Sequence, residues 1–338
     1  MNILLSLHKS IPTMSEIKVI QKPVDEEIKQ FQSYFKNTMK SDVPLLSLIS
    51  NYIIRRKGKQ LRPLLVFLSA KMISEKTNES TFTAAAMIEL LHTASLIHDD
   101  VVDESYERRG FFSVNALWKS KVAVLFGDFL LSKGMLLSIE KGEFQLLRIL
   151  SDAVKQMSEG ELFQIQKTRK LNITEEEYFD IISKKTASLF AACTACGATS
   201  ANASEDKIDK LKQFGIYSGI AFQIKDDLFD YLPKGVIGKP VANDIKEKKL
   251  TLPLIHTLNT LPSAEKKKIL KTIRQDNKNT KKVQKIIDMV MQNGGYKYAT
   301  EKMNEYHNKA LEMLKEFEDN SAKQSLIQLV DYLINRSK

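Results

Sequence analysis

Apolar residues recur at three- to four-residue intervals along most of the chain and strict alternation is rare, so the pattern predicts helices with almost no strand. Pro44 stands in the first turn of a segment carrying Leu45, Leu46, Leu48, Ile49 and Ile53, and Pro63 opens the next, through Met72. Residues 80–102 form a long helix rich in Ala and Leu that ends in carboxylates. Residues 113–140 form another, broken near Gly142, and 143 to about 170 a third. In Thr174-Glu-Glu-Glu177 the threonine hydroxyl and the last glutamate each accept the other's backbone N–H, a capping box that starts a helix reaching Thr199. Ser204, followed by Glu205 and Asp206, starts a helix that runs past Asp227 toward Pro233, and shorter helices fill 251–336.

Composition agrees. Gly 13 and Pro 8 are few for 338 residues, too few for a fold rich in strands and turns. With 43 % hydrophobic and 27 % charged residues the chain suits a packed globular protein. No linker rich in Pro, Gly or Ser divides the helices. The expected architecture is therefore all-α, a single large helical bundle over residues 25–338, with a poorly ordered N-terminal extension over 1–24. Residues 1–13 read as dispensable, because Met14-Ser-Glu-Ile-Lys is a more ordinary start and the opening apolar run is too short for a secretory signal. No other stretch approaches the ~18 apolar residues of a membrane span. Two cysteines exclude a disulfide scaffold and suit a cytoplasmic location. Both fall in Cys193-Thr-Ala-Cys196 with no second pair, and read as small residues of an Ala-rich helix.

The chemistry is concentrated in two clusters of one form, Asp99-Asp100-Val101-Val102-Asp103 and Asp226-Asp227-Leu228-Phe229-Asp230. The outer aspartates of each are four residues apart, on one helix face and about 6 Å apart along the axis, with the second aspartate turned by about 100°. Each cluster follows an apolar helical run, so the carboxylates stand where a helix leaves the core. Like charges this close raise one another's pKa unless neutralised. Hard divalent cations such as Mg²⁺, which take carboxylates together with phosphate oxygens and water, meet that need. One acidic run at a helix end is as readily a solvated face. Two with the same spacing, facing one another, make a mouth for several Mg²⁺ ions and a polyanion.

A polyanion needs cations around it. Lys59 and Arg62 precede a helix in Gly58-Lys-Gln-Leu-Arg-Pro63, Arg108-Arg109-Gly110 follows the first cluster, and Gly238-Lys239-Pro240 and Lys248-Lys249 follow the second. Arg grips phosphate with a planar fork and Lys acts as a mobile point charge. Singly each is an ordinary surface residue; grouped around the aspartates they point to diphosphate. The net charge of +10 adds less, because 16 basic against 10 acidic residues from Thr260 to Lys338 carry +6 of it on amphipathic helices. That distribution reads as a solvated surface, and no nucleic-acid partner is expected.

With these motifs the sequence resembles the trans-prenyl diphosphate synthases, or polyprenyl synthetases, most closely their bacterial long-chain members. The likeness runs from about residue 25 to 338, and its further anchors are Leu91-His-Thr-Ala-Ser-Leu-Ile-His98, Gly127-Asp128, Lys185-Thr186-Ala187, Phe222-Gln223 and Lys249-Leu-Thr-Leu-Pro253. The resemblance implies a helical bundle around a deep cavity, a homodimer, and Mg²⁺-dependent condensation of isopentenyl diphosphate with an allylic diphosphate, farnesyl or geranylgeranyl. The product it implies is a long all-trans polyprenyl diphosphate for quinone side chains. By matched motif, Asp99, Asp103 and Asp226 would ligate up to three Mg²⁺ ions, with Asp100, Asp227 and Asp230 acting through water or as supports. Arg108, Lys185, Lys239 and Lys249 would hold the allylic diphosphate; Lys59, Arg62, His92 and Arg109 would hold isopentenyl diphosphate. Thr186 and Gln223 would face the reacting carbons. The diphosphate leaves once its developing charge is neutralised, the isopentenyl double bond attacks the allylic cation, and the departing pyrophosphate takes the proton.

A lone His in an apolar helix is most often a core residue. His92 lies two turns before Asp99 on the same face, which favours binding, whereas His98 reads as packing or tuning a carboxylate. Ala94 and Ser95 lie about one turn deeper than Asp99 and are small. Bulky residues at these positions stop the product early in the family, so the chain is expected to grow past them toward a floor among Phe126, Phe129 and Leu130. Its apolar product implies transient membrane contact. The alternatives are a geranylgeranyl or farnesyl diphosphate synthase, a class I terpene cyclase, whose Asn/Ser/Glu second motif is absent here, or a non-catalytic partner.

Overall fold

Helices start where a side chain can accept a backbone N–H. In the computed structural model, which describes residues 14–56, 58, 60–108, 110–232 and 242–336, Asn78 accepts from Thr81 at 3.0 Å, Ser113 from Ala116 at 3.0 Å and Thr174 from Glu177 at 3.2 Å. The capping box at Thr174 is present, and Asn78 and Thr81 form a second. Ser204 makes no capping bond, so its helix starts with only Glu205 and Asp206 favouring the dipole. The helices are α1 (Met14–Gln21), α2 (Asp25–Thr38), α3 (Pro44–Arg55), α4 (Leu61–Ile73), α5 (Glu79–Val102), α6 (Val114–Glu140), α7 (Phe144–Lys170) and α8 (Glu175–Ile182). They continue with α9 (Ser188–Ser200), α10 (Glu205–Phe229), α11 (Asn243–Lys246), α12 (Leu252–Thr260), α13 (Ser263–Asp276), α14 (Thr280–Gln292), α15 (Gly295–Met313) and α16 (Ser321–Asn335). The all-α architecture expected from the periodicity is present.

At the centre, α9 is surrounded by α4, α5, α7 and α10, and all of its residues except Thr199 are buried. A helix apolar on every side belongs there. Cys193 and Cys196 are part of it, and burial pushes the Cys193 thiol up to about 12 and the Cys196 thiol higher still, so both are inert packing residues. One apolar core joins α2, α4, α5, α6, α9 and α16; a second joins α12, α13, α14 and α15. α10 passes through both, with Leu211 and Phe214 in the first and Ile224 and Leu228 in the second. The far end of this shared helix carries Asp226–Asp230.

Several expectations need correction. Residues 14–24 are ordered, with Ile17, Ile20 and Val24 buried and α1 packed on α16, because their apolar spacing matches a groove that only the folded chain supplies. Residues 1–13 lie outside the described residues. α5 and α6 are each long and apolar enough to cross a membrane; 67 % of the apolar stretch of α5 and 33 % of that of α6 is buried in the protein. α6 also bends at Lys119, whose φ of 67° lies in the left-handed region.

Candidate active site

Each aspartate cluster ends a helix, with Asp103 capping α5 and Asp230 capping α10. In the first, Asp99 and Asp103 are exposed, and Asp100, turned inward by the helical rotation, is 3 % exposed. A short hairpin, β1 (Glu107–Arg108) with β2 (Phe111–Phe112), turns at Gly110, whose φ of +77° suits glycine, and folds Arg108 back over the helix end. The Arg108 Nε and Nη2 lie 2.8 and 2.7 Å from Asp100 Oδ1, giving the buried carboxylate its counter-charge. Although its surface reaches solvent, the protein crowded around the Asp99 carboxyl strips part of its hydration and raises it above the ordinary range; Lys185 opposes the rise, and Glu161 and Asp103 add to it.

Lys185 and Thr186 occupy a π-helical turn, Ser183–Ala187, that separates α8 from α9 where the sequence predicts one uninterrupted helix. Such a turn inserts a residue and re-aims its side chains. Gly160 of α7 makes room for it, since a Cβ there would stand 2.8 Å from the Lys185 backbone nitrogen. The Lys185 ammonium pairs with Glu161 and donates to Gln164 Oε1 at 3.4 Å, both on α7.

The second cluster is sunk deeper. Asp227, 6 % exposed, accepts from Tyr178 Oη at 2.7 Å and from Gln223 Nε2 at 2.8 Å; Gln223 Oε1 in turn accepts from Thr186 Oγ1 at 2.8 Å. Burial pushes the Asp227 carboxyl up to about 7 in spite of the two donors. Asp230 accepts the Asp244 backbone N–H at 2.6 Å, and burial raises both carboxyls, that of Asp244 the more strongly, with Asp227 and Asp230 beside it adding to the effect of burial. Asp226 pairs at 2.5 Å with Arg336, whose guanidinium stacks 4.1 Å over the Phe222 ring. Lys249 pairs with Glu247 at 2.6 Å; burial works to lower its pKa, but Glu247, Asp244 and Asp103 together raise it. Asp103 belongs to the first cluster, and Lys249 also lines a cavity with Asp227 of the second, so it stands near both.

A cavity of about 120 Å³ lies between α7, α10 and the segment before α12, lined by Gln164, Lys185, Thr186, Gln223, Asp227 and Lys249 among others. Arg62 is in the first turn of α4 and His92 is buried in α5. Ala94, Phe126 and Leu130 share one apolar core with Phe129 against it, while Ser95 Oγ donates to the His92 carbonyl at 2.9 Å. His98 packs across α6, its Nε2 3.2 Å from the Val124 carbonyl and 3.5 Å from Asp128 Oδ1; a Cβ at Gly127 would stand 2.1 Å from that nitrogen. Lys59, Arg109 and Lys239 lie outside the described residues. The donors around the cavity are carboxylate oxygens with no thiolate or imidazole among them, a set that fits a hard divalent cation. Among the described residues no three of them stand together around one point, Asp100 and Asp226 being turned toward arginines.

Residues 43–290 match the polyprenyl synthetase family. The chain belongs to that family. Octaprenyl diphosphate synthase of Escherichia coli (strain K12) is 33 % identical over 301 residues, 89 % of this chain and 93 % of that protein. Geranylgeranyl diphosphate synthase of Saccharolobus solfataricus is 30 % identical over 324 residues, covering 93 % of this chain and 97 % of that one. Among solved structures, a polyprenyl synthase from Caulobacter crescentus CB15, complexed with calcium and isoprenyl diphosphate, matches with a TM-score of 0.87 at 30 % identity over 95 % of this chain and 98 % of that one. As a polyprenyl synthetase the chain is a trans-prenyltransferase, and its relatives span short and long products.

In this polyprenyl synthetase the sequence reading missed Glu161, Gln164, Tyr178, Asp244 and Arg336. Glu161 and Gln164 look like the polar side of an amphipathic helix, and Tyr178 like an apolar position. Asp244 alone carried a signal, as the first acid after the second cluster, on the way to Lys249.

Proposed function

We propose that the protein condenses isopentenyl diphosphate with an allylic diphosphate, farnesyl or geranylgeranyl, to give a long all-trans polyprenyl diphosphate. The observation that carries the reading is the grouping of Lys185, Lys249 and the Thr186–Gln223 pair with Asp227 around one cavity, with Asp99 and Asp103 of the first cluster near enough to act on Lys185 and Lys249 through their charge. Asp99, Asp103 and Asp226 would hold Mg²⁺, with Asp100, Asp227 and Asp230 in support. When bound, the ions supply charge neutralisation for the departing diphosphate. Arg108, Lys185 and Lys249 add to that positive field. Each is paired with an acid in the substrate-free protein, Asp100, Glu161 and Glu247 respectively, so a diphosphate exchanges one anion for another without stripping a bare cation of water. Arg62 and His92, with Lys59 and Arg109, are assigned to isopentenyl diphosphate, and Lys239 to the allylic one. Asp227 fixes the Gln223 amide, and Gln223 fixes the Thr186 hydroxyl, so their dipoles are set before positive charge develops on the allylic carbon.

Product length is assigned to Ala94, whose small side chain is buried in the apolar core one turn below Asp99, where a growing chain meets no bulky group on α5. Replacing Ala94 by Phe should shorten the product; an unchanged product overturns this direction of growth. Residues 25–338 act as one domain, because α10 crosses both cores. α6 turns Val124, Leu125, Leu136 and Ile139 outward at 40–58 % exposure, an apolar patch that a second copy would cover in the expected homodimer. The test is purified protein with Mg²⁺, labelled isopentenyl diphosphate and each allylic starter, with products sized by chromatography. Chelator-sensitive elongation to long products is expected. No elongation overturns the reading, and arrest at geranylgeranyl diphosphate transfers it to the short-chain class of the Saccharolobus relative.

A further inference from the structure

Charge is distributed very unevenly. Between Ser263 and Lys285 there are nine basic residues, Lys266, Lys267, Lys268, Lys271, Arg274, Lys278, Lys281, Lys282 and Lys285, against Glu265 and Asp276. That is +7 in 23 residues, leaving +3 for all the rest of the chain. The structure shows that these charges form a face. Ile269 and Ile273 of α13 and Val283, Ile286, Ile287 and Val290 of α14 are buried in the core, which fixes how both helices are rolled. On the opposite side of α13 Lys267, Lys271 and Arg274 follow at i, i+4 and i+7, Lys278 stands in the connection to α14, and Lys281 and Lys285 of α14 follow at i, i+4, all exposed. Asp288, next on the α14 stripe, is its one acid.

Elsewhere the chain balances such lysines one turn away, as in Lys29–Asp25, Lys184–Asp180 and Lys309–Glu305. Here Lys282–Asp276 is the one ion pair among the described residues, and Lys267–Lys271 and Lys281–Lys285 are like-charge i, i+4 pairs that weaken their helices. A face kept basic at that cost fits an anionic partner. Eight of the nine cations are Lys, and no aromatic residue lies between Ser263 and Lys285, so the face has no stacking rings and a single guanidinium fork, Arg274, with which to grip nucleic acid. A field of mobile ammonium groups suits the diffuse charge of phospholipid headgroups.

We propose that the outer face of α13 and α14 docks the protein on an anionic phospholipid bilayer. The benefit rests on the transferase reading, since a long polyprenyl chain is apolar and leaves into a bilayer. The docking itself needs neither substrate nor turnover, so it is tested separately. Full-length protein should sediment with vesicles of phosphatidylcholine and phosphatidylglycerol, not with phosphatidylcholine alone, and should come off as salt is raised. The combined variant Lys267→Glu, Lys271→Glu, Lys281→Glu and Lys285→Glu should lose about a hundredfold in partition. A control with the same charge change at Lys29, Lys155, Lys297 and Lys315, which lie outside α13 and α14 and are 69–82 % exposed, should stay within about threefold. The corresponding Lys→Ala quadruple should show an intermediate loss with an unchanged circular dichroism spectrum. Equal losses in test and control variants, equal binding to neutral vesicles, or displacement by polyuridylate at lower concentration than by anionic vesicles would each overturn the proposal. Failed vesicle binding leaves the transferase reading standing, and failed elongation leaves the docking standing.

Discussion

At the end of α5 the buried aspartate of the first cluster, Asp100, is held by Arg108, eight residues on; at the end of α10 the equivalent Asp227 is held by Tyr178 and Gln223, while its neighbour Asp226 is held by Arg336, 110 residues away. The first arrangement is local. A two-residue hairpin returns a cation to the helix that precedes it, and Asp99 and Asp103 stay at an open rim. The second is assembled from four parts of the chain, and its deepest carboxylate is met by neutral donors, which leaves its charge only partly compensated. One spacing thus yields an accessible rim on one side and a buried, pre-organised polar chain on the other. The rim suits capture of a hydrated cation, and the buried chain suits fixing the Thr186–Gln223 dipoles.

The largest effects should come from removing one ligand on each side. Asp99→Ala and Asp226→Ala should each lower the elongation rate by about 10²–10³-fold, because developing diphosphate charge loses its main compensation. A loss confined to one would show that only one cluster takes part. Next come the two supports. Arg108→Ala leaves Asp100 buried without its partner and should cost about 1–3 kcal/mol of stability, read as a lower urea midpoint. Tyr178→Phe removes one of two donors to Asp227 and should cost about 1 kcal/mol, with kcat falling about tenfold while KM stays within about threefold. If KM moved instead, Tyr178 would be shaping substrate binding rather than holding Asp227.

A pH series separates the clusters further. In metal-free protein the folded state keeps a proton on Asp227 that the unfolded chain releases, since its carboxyl sits at about 7 against an ordinary 3.8. Stability contributed by this site is therefore fully present below about pH 4 and is lost as pH rises to about 7. Thermal melts in chelator should show that slope, and Asp227→Asn should flatten it. The smallest change is expected from Arg336→Gln. Freeing Asp226 of its guanidinium should tighten Mn²⁺ binding, measured by spin resonance with inorganic pyrophosphate present, by about threefold, in keeping with the modest worth of a partly exposed pair. Weaker binding would mean that Arg336 orders the site instead of competing for it.

Much of this was legible in the sequence for a local reason. Apolar spacing along α5 and α10 and the capping box at Thr174 depend on residues within a turn or two of each other, and so does the run of aspartates at a helix end. The sequence reading failed at the π turn carrying Lys185 and Thr186, because Gly160 on another helix makes the room for it. It failed at residues 14–24 in the same way, since the surface they bury against is supplied by α16.

By itself, then, the sequence determined an all-helical chain, two DDxxD clusters at helix ends, the cations near them, and the family whose chemistry these serve, since each is written in spacings of a few residues. Only the tertiary structure decided which partner each charge takes. It set Arg336 on Asp226, Tyr178 on Asp227, Glu161 on Lys185, and Lys249 near both clusters. These pairings join positions tens to hundreds of residues apart, and burial, which pushes Asp227 to about 7, arises only when the helices close around it.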